Sequence, residues 1–130
     1  MFTIAQIKNA HSKVKSGADF PEYIQDILKL GVIYFETYVF DGHTNFFGTN
    51  GFKISSEAQY LRLQVADKSN LPQFKTDLKT HQKGNTDYPT FCKNCATSGV
   101  EKWIVSIVNM TCSYYDKEGK VMLVETIPTP

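Results

Sequence analysis

The order of hydrophobic and polar residues in the first half of the chain recurs in the second half. The proline-containing segment Phe20–Tyr23 returns as Tyr88–Phe91, an offset of 68 residues (88 − 20 = 68). The same offset holds without a gap at Phe35 and Trp103, inside the aromatic segment that follows each helix start. A repeat of this length is typically one supersecondary unit that cannot bury its apolar face alone. We therefore expect two copies of one unit, copy one and copy two, that share a core.

Each copy is predicted to begin with a helix that has a polar cap and a glycine stop. In copy one, Thr3 followed by Gln6 is typical of a capping box, and apolar residues at helical spacing continue toward Gly17. Copy two has Asn70 at the cap and Gly84 at the stop, an offset of 67 residues (84 − 17 = 67).

The second helix of each copy is predicted to start at an aspartate-aromatic-proline sequence. These sequences are Asp19–Pro21 and Asp87–Pro89, and proline is tolerated there because the first N–H groups of a helix have no helical partner. Gly31 and Gly99 follow the two helices, at a position that favours a left-handed residue.

Three short strands are predicted to follow the helices in each copy. In copy one, Val32–Phe40 is rich in β-branched and aromatic residues, Asp41-Gly42 is typical of a two-residue hairpin turn, and His43–Phe47 returns. A second turn at Asn50-Gly51 leads into Phe52–Ile54. The corresponding strands of copy two are Val100–Val108, Thr111–Tyr115 and Lys120–Val124.

The predicted fold class is α+β, a tandem duplication of a helix-helix-three-stranded antiparallel meander unit. We expect helices to cover one face of the sheet and a pseudo-twofold axis to relate the two halves. Residues 1–130 would form a single domain made of two repeats, about 3–54 and 70–124, with a connecting segment at 55–69. Within that segment, Tyr60–Val65 alternates between apolar and polar residues, which predicts an extra strand.

Composition narrows the class of protein. With 130 residues, 42% of them hydrophobic, the chain is long enough for one sizeable core. Its net charge is +1 and its basic residues are scattered, so the charge pattern of a nucleic-acid binder is missing. No apolar stretch approaches the roughly 18 residues of a membrane span, and Met1–Gly17 lacks the apolar region of a signal peptide. These features predict a cytoplasmic protein with no membrane and no nucleic-acid partner.

The tandem motifs resemble those of a known bacterial family. Each copy has, in order, a Tyr/Phe-Pro helix start, Gly-Val, an aromatic strand and a pair of aromatic residues followed closely by Asn-Gly or Glu-Gly. The aromatic pairs are Phe46-Phe47 and Tyr114-Tyr115. This order of motifs resembles that of the YbcV-like family. The resemblance covers about residues 3–125. It implies a small bacterial protein of a domain-of-unknown-function family, often prophage-associated and labelled "phage envelope protein". The motifs are structural, and the family offers no catalytic residues to carry over.

The sequence Cys92-Lys93-Asn94-Cys95 is a candidate chemical motif, because Cys-x-x-Cys supplies half of a zinc site or a redox pair. The repeat favours another interpretation. Its offset places Cys92 on Ile24 and Cys95 on Ile27, which belong to the apolar stripe of the equivalent helix. Free cysteine packs as a small hydrophobic residue, so we expect reduced, buried thiols with no metal and no cofactor. The alternative, a metal or redox site, would need further ligands brought in by folding.

The first predicted hairpin gathers the polar groups of copy one on one face. With a two-residue loop, the predicted pairs are Phe40–His43, Tyr38–Asn45 and Glu36–Phe47. The candidate ligand- or partner-binding residues on this face are Tyr34, Glu36, Tyr38, His43 and Asn45. Their counterparts in copy two lack both the carboxylate and the imidazole: Lys102, Ile104, Ser106, Thr111 and Ser113. An ordinary solvated sheet face is the alternative interpretation.

These patterns favour a non-catalytic binding or protein-interaction module over an enzyme. The chain has seven tyrosines, and tyrosine is enriched where proteins meet proteins. The partner would be another protein or a second copy of the chain. The alternative is a small enzyme or ligand-binding domain that uses Glu36 and His43, with Tyr34 and Tyr38 as walls. An enzyme needs a concave pocket, whereas an interaction module needs an open patch.

Overall fold

The computed structural model describes residues 1–15 and 17–129, and it confirms the predicted α+β class. Within these residues the helices are α1 (Ile4–His11), α2 (Phe20–Leu30), α3 (Leu71–Gln82) and α4 (Tyr88–Thr97). The strands are β1 (Tyr34–Tyr38), β2 (Thr44–Phe47), β3 (Lys53–Ser55), β4 (Lys102–Ser106), β5 (Thr111–Tyr115) and β6 (Val121–Thr126). Short 3₁₀ turns lie at Gly17–Asp19 and Thr49–Gly51. Across the described part of the chain, no helix combines the length and the apolar character that a membrane crossing requires.

The predicted polar caps start the first helix of each copy. Thr3 and Gln6 form a complete capping box, in which the Gln6 N–H donates to the Thr3 hydroxyl (3.2 Å) and the Thr3 N–H donates to Gln6 Oε1 (2.9 Å). At α3, the Gln73 N–H donates to Asn70 Oδ1 (3.2 Å). Both helix starts therefore follow from the local sequence.

Helix α1 ends earlier than predicted, at His11 instead of near Gly17. The Ser12 hydroxyl donates to the Asn9 carbonyl (2.6 Å), one of the groups that lack a helical partner at the end of a helix. A local side-chain hydrogen bond thus accompanies the end of the helix before the glycine is reached.

The two halves join at the centre of one antiparallel sheet, whose strand order is β3-β2-β1-β4-β5-β6. Strand β1 pairs with β4, and in this register Glu36 lies opposite Ile104. These residues occupy the same position of the repeat (104 − 36 = 68). A residue that faces its own repeat equivalent marks a pseudo-twofold axis, so the predicted symmetry passes through this pair.

The helices pack against one face of the sheet, here called the inner face. Phe35 and Trp103 occupy equivalent positions on it, and both are buried, at 6% and 9% exposure, as predicted. In copy two, Trp103 packs against Phe91 of α4, and Phe74 of α3 packs edge-on against Tyr114 (ring centroids 6.1 and 4.8 Å apart). Burial of these rings fixes which face of the sheet is left without helices.

The register of the first hairpin differs from the prediction by two residues. The predicted pairs Phe40–His43, Tyr38–Asn45 and Glu36–Phe47 are all wrong: Tyr38 lies opposite His43, and Glu36 pairs with Asn45. The loop therefore contains residues 39–42, four residues instead of two. Because side chains alternate with a period of two, a shift by two residues leaves every one of them on its predicted face.

The connecting segment explains the longer loop. The Leu63 N–H donates to the Phe40 carbonyl (2.7 Å), and the Gln59 N–H donates to the Asp41 carbonyl (2.8 Å). These bonds draw the loop residues out of the hairpin ladder. The extra strand predicted at Tyr60–Val65 is wrong, because these residues run irregularly along the end of the sheet and contact it through isolated hydrogen bonds.

The Cys-x-x-Cys pair lies in the core, as the repeat predicts. Cys92 and Cys95 have no exposed surface, and neither have their equivalents Ile24 and Ile27. Both cysteines are free thiols. Burial raises the pKa of the Cys92 thiol and holds that of Cys95 well above its ordinary value.

The contact between the connecting segment and the end of α4 requires glycine at position 99. Gly99 has φ +81°, and a Cβ there would lie 2.7 Å from the Lys68 carbonyl oxygen and 2.8 Å from Ser69 Cα. Gly119 has the same φ, but a Cβ there would meet no atom within 4 Å.

We expect Gly119→Ala to lose about 1–2 kcal/mol of unfolding free energy from the left-handed backbone, and Gly99→Ala to lose roughly 1–3 kcal/mol more from the clash. Urea unfolding measures both, and equal losses would contradict this packing.

Replacing the buried thiols should reduce stability without affecting chemistry. We expect Cys92→Ala and Cys95→Ala each to lower the unfolding free energy by roughly 1 kcal/mol or more through lost packing. Because burial raises the pKa of both thiols, the native protein should react slowly with a disulfide reagent at pH 8 and rapidly in urea. Stoichiometric zinc bound by this pair in the purified protein would contradict the interpretation.

Candidate functional site

The candidate residues lie on the side of the sheet opposite the helices, here called the outer face. Along β1, Phe35 and Thr37 point into the core, so Tyr34, Glu36 and Tyr38 point outward. The outer face also carries Asn45 and Phe47 of β2, Lys102 and Ile104 of β4, and Tyr115 of β5. Residues from both copies therefore contribute to one continuous surface.

A chain of polar side chains crosses four neighbouring strands of this face. The Ser55 hydroxyl donates to Asn45 Oδ1 (2.6 Å), and Asn45 Nδ2 donates to Glu36 Oε1 (3.0 Å). The other carboxylate oxygen of Glu36 lies 3.5 Å from Lys102 Nζ. The side chains of Glu36 and Lys102 are only 16% and 26% exposed. We call these four residues the polar ladder, and it fixes both charges of the ion pair in place.

Aromatic rings flank the polar ladder in stacked pairs. Tyr34 stacks on Phe47 with ring centroids 4.3 Å apart, and Tyr38 stacks on His43 at 4.8 Å. Lys102 Nζ lies 5.4 Å from the ring centroid of Tyr38. Burial alone would lower the pKa of Lys102, but Tyr38 and Glu36 outweigh it and raise the pKa. The lysine is therefore held as a cation against the aromatic surface.

The imidazole of His43 is engaged by its own loop and not by Glu36. Its Nδ1 lies 2.5 Å from Asp41 Oδ1, which also accepts from the His43 N–H (2.9 Å). Burial alone would raise the pKa of Asp41, but the hydrogen bonds and charge of His43 outweigh it and lower the pKa. Glu36 makes its hydrogen bonds to Asn45 and Lys102, so the two groups are not arranged as an acid–base pair.

The structure brings the five candidate residues together on one face, but it also adds residues that the sequence reasoning missed. Lys102 and Ser55 complete the polar ladder, and Asp41 orients His43. The symmetry of the repeat could have predicted the position of Lys102. Once Glu36 is placed opposite Ile104, antiparallel pairing brings Lys102 beside Tyr38.

Two cavities lie elsewhere among the described residues. One, of about 360 Å³, lies on the inner side between the helices of copy one and the sheet. The other, of about 380 Å³, lies at the end of the sheet beside Phe40 and Arg62. Neither cavity is lined by Glu36 or His43. The polar ladder thus lies outside both of these concave sites.

The described residues offer no evident metal centre, since they contain no group of three or more His, Cys, Asp or Glu side chains placed to hold an ion. The side chains of the polar ladder are paired with one another. Such an arrangement can bind a complementary surface, with stacked rings for apolar contact and a fixed ion pair for orientation.

Comparison with known proteins gives a family but no assigned activity. No curated protein matches the chain. A family model described as "Protein of unknown function (DUF1398)" matches residues 8–126. The match spans nearly all of both copies, from within α1 to the end of β6. The YbcV-like name and the phage association stay predictions. The chain belongs to the DUF1398 family of proteins of unknown function.

Proposed function

We propose that this protein is a non-catalytic interaction module whose outer face binds a protein partner. The observation that carries the proposal is the polar ladder flanked by stacked aromatic rings on a sheet face without helices. The family resemblance adds the expectation that the protein itself is phage- or prophage-associated, and the composition adds a cytoplasmic location.

The aromatic pairs support binding because they are already ordered. Tyr34 and Tyr38 are held against Phe47 and His43 by stacking, with interplanar angles of 8° and 6°. Ordering a mobile side chain at an interface costs about 0.5–1.5 kcal/mol, and rings that are fixed beforehand avoid most of this cost. Tyrosine also combines an apolar ring with a polar end, which suits a surface that alternates between water and a partner.

The polar ladder supports binding because its charges are paired before a partner arrives. Covering an unpaired charge in an interface is costly, whereas a charge that already has its hydrogen bonds loses less on desolvation. Glu36 has both carboxylate oxygens engaged, one by Asn45 and one by Lys102. A partner can therefore cover this part of the face without leaving either charge alone.

The same geometry disfavours the alternative of an enzyme that uses Glu36 and His43. The two groups bond to different neighbours, and neither lines one of the two cavities described above. A general acid–base pair needs hydrogen-bond reach to a common substrate in a site that excludes water. The open face does not supply such a site.

Substitutions on the outer face should weaken partner binding while the fold is kept. We expect Tyr38→Ala to remove a stacked ring and Glu36→Ile, which introduces the copy-two residue, to remove the centre of the polar ladder. Each should lower the affinity for a protein captured from the source cells, purified, and titrated by calorimetry, by at least about tenfold. Circular dichroism checks the fold of Glu36→Ile, because the loss of one partner of Asn45 should cost about 1–3 kcal/mol of stability.

A surface variant away from this face supplies the control. Leu61 is 92% exposed and lies in the connecting segment, so Leu61→Ala should leave the affinity within about twofold of the wild type. Equal affinities for all variants would contradict the proposal. If the purified chain self-associates and Tyr38→Ala abolishes this, the outer face binds a second copy of the chain. That result would overturn the proposal that its partner is a different protein.

A further inference from the structure

The cavity on the inner side of copy one has the size and walls of a small-molecule site. Ile7 of α1 and Tyr23 of α2 line it from the helices, and Phe35, Phe46 and Trp103 line it from the sheet. Its volume of about 360 Å³ falls within the range of roughly 300–1,000 Å³ of ligand pockets. It is more than twice the roughly 150 Å³ of an apolar cavity that holds benzene. One or two fused aromatic rings would therefore fit.

At the equivalent place in copy two, larger side chains occupy two of the positions that line the cavity in copy one. The position of Ile7 is occupied by Phe74, which is fully buried and packs against Tyr114 (74 − 7 = 67). The position of His11, on the lining of the cavity, is occupied by Leu78, which is also buried. Both replacements place a larger, buried apolar side chain where copy one has a residue that lines the cavity.

Copy one also carries hydroxyl groups where copy two carries none. The floor of the cavity contains Thr37 and Thr44, whose hydroxyls lie 2.8 Å apart. That hydrogen bond uses the hydrogen of only one of the two hydroxyls, so the other hydroxyl still has an O–H to donate. The Thr37 residue is 4% exposed. Tyr23 adds a third hydroxyl that makes no hydrogen bond to another described residue.

The copy-two equivalents of these hydroxyl residues, at the 68-residue offset, are Val105, Cys112 and Phe91. Burial raises the pKa of Tyr23 to about 12, so its hydroxyl stays protonated and available as a donor. Hydroxyl groups that line a cavity and still have an O–H to donate can bond to a polar ligand placed there.

The lining favours an anionic group on the ligand. Of the described residues that line the cavity, Lys8 carries a positive charge and none is an aspartate or glutamate. Lys8 is exposed in the last turn of α1, so its ammonium group belongs to the rim and not to the floor. An aromatic carboxylate would place its rings among the aromatic walls and its charge toward this lysine.

We propose that copy one binds a flat, one- or two-ring aromatic carboxylate in this cavity, on the side of the sheet opposite the outer face. The rings lie between Ile7, Tyr23 and Trp103, the carboxylate lies toward Lys8, and the hydroxyls of the floor serve oxygen substituents on the ring. Copy two contributes Trp103 to the wall of this site, and because Phe74 fills its position equivalent to Ile7, we place no second site there.

The test uses 2-naphthoate as a probe and the full chain, titrated by calorimetry. We expect saturable binding of one molecule per chain. Ile7→Phe, which introduces the copy-two residue, should abolish it while circular dichroism stays native. Lys8→Gln should weaken 2-naphthoate at least about fivefold but leave the uncharged 2-naphthylmethanol unchanged. Lys75→Gln, at the equivalent position of copy two, is the matched control and should bind as the wild type does.

A second pair of variants keeps the proposal testable if Ile7→Phe does not fold. Tyr23→Phe and Thr37→Val each remove one hydroxyl, and each should weaken 6-hydroxy-2-naphthoate more than 2-naphthoate. The proposal is overturned if 2-naphthoate does not bind, if Ile7→Phe binds it unchanged, or if Lys8→Gln and Lys75→Gln have equal effects. Binding that is lost in Tyr38→Ala would place the probe on the outer face and would equally overturn it.

Discussion

The antiparallel pairing of β1 with β4 is the contact on which the rest of the structure depends. It places Glu36 opposite Ile104, its own repeat equivalent, and so makes one six-stranded sheet from two three-stranded meanders. A single three-stranded unit would leave a hydrogen-bonding edge open at this strand. Pairing the two edges closes them against each other, gives the helices one shared inner face to cover, and brings Lys102 of copy two to the carboxylate of Glu36.

The two copies differ at repeat-equivalent positions on both sides of the sheet. Copy two buries Phe74 where copy one has Ile7, and it carries Ile104 where copy one has Glu36. Each difference replaces a polar or open feature of copy one by apolar packing. Copy one therefore carries the carboxylate of Glu36 on the outer face and the hydroxyls of Thr37 and Thr44 beside the cavity, where copy two has Ile104, Val105 and Cys112. This division is the physical basis for assigning both proposed binding sites mainly to copy one.

The order of the elements and their start sites could be predicted because those signals are local. The capping box at Thr3 involves residues only three positions apart in the sequence. The repeat is recognised by comparing two similar stretches of the sequence, without knowledge of the fold. The hairpin register could not be predicted in the same way, since hydrogen bonds from the distant connecting segment to Phe40 and Asp41 lengthen the loop. The face of each candidate residue was still predictable, because the error was an even number of residues. The cavity depends on how α1 packs against the sheet, and no local pattern determines that.

Both proposals together require that copy one offers two separate binding surfaces, one on each side of the sheet. The most direct test is the change in backbone amide chemical shifts of the isotopically labelled chain, measured once with the captured protein partner and once with 2-naphthoate. We expect two sets of shifted amides that do not overlap, one around Tyr38 and Lys102 and the other around Ile7 and Tyr23. Shifts from both titrations that fall on one side of the sheet, or mainly on the helices of copy two, would contradict this division.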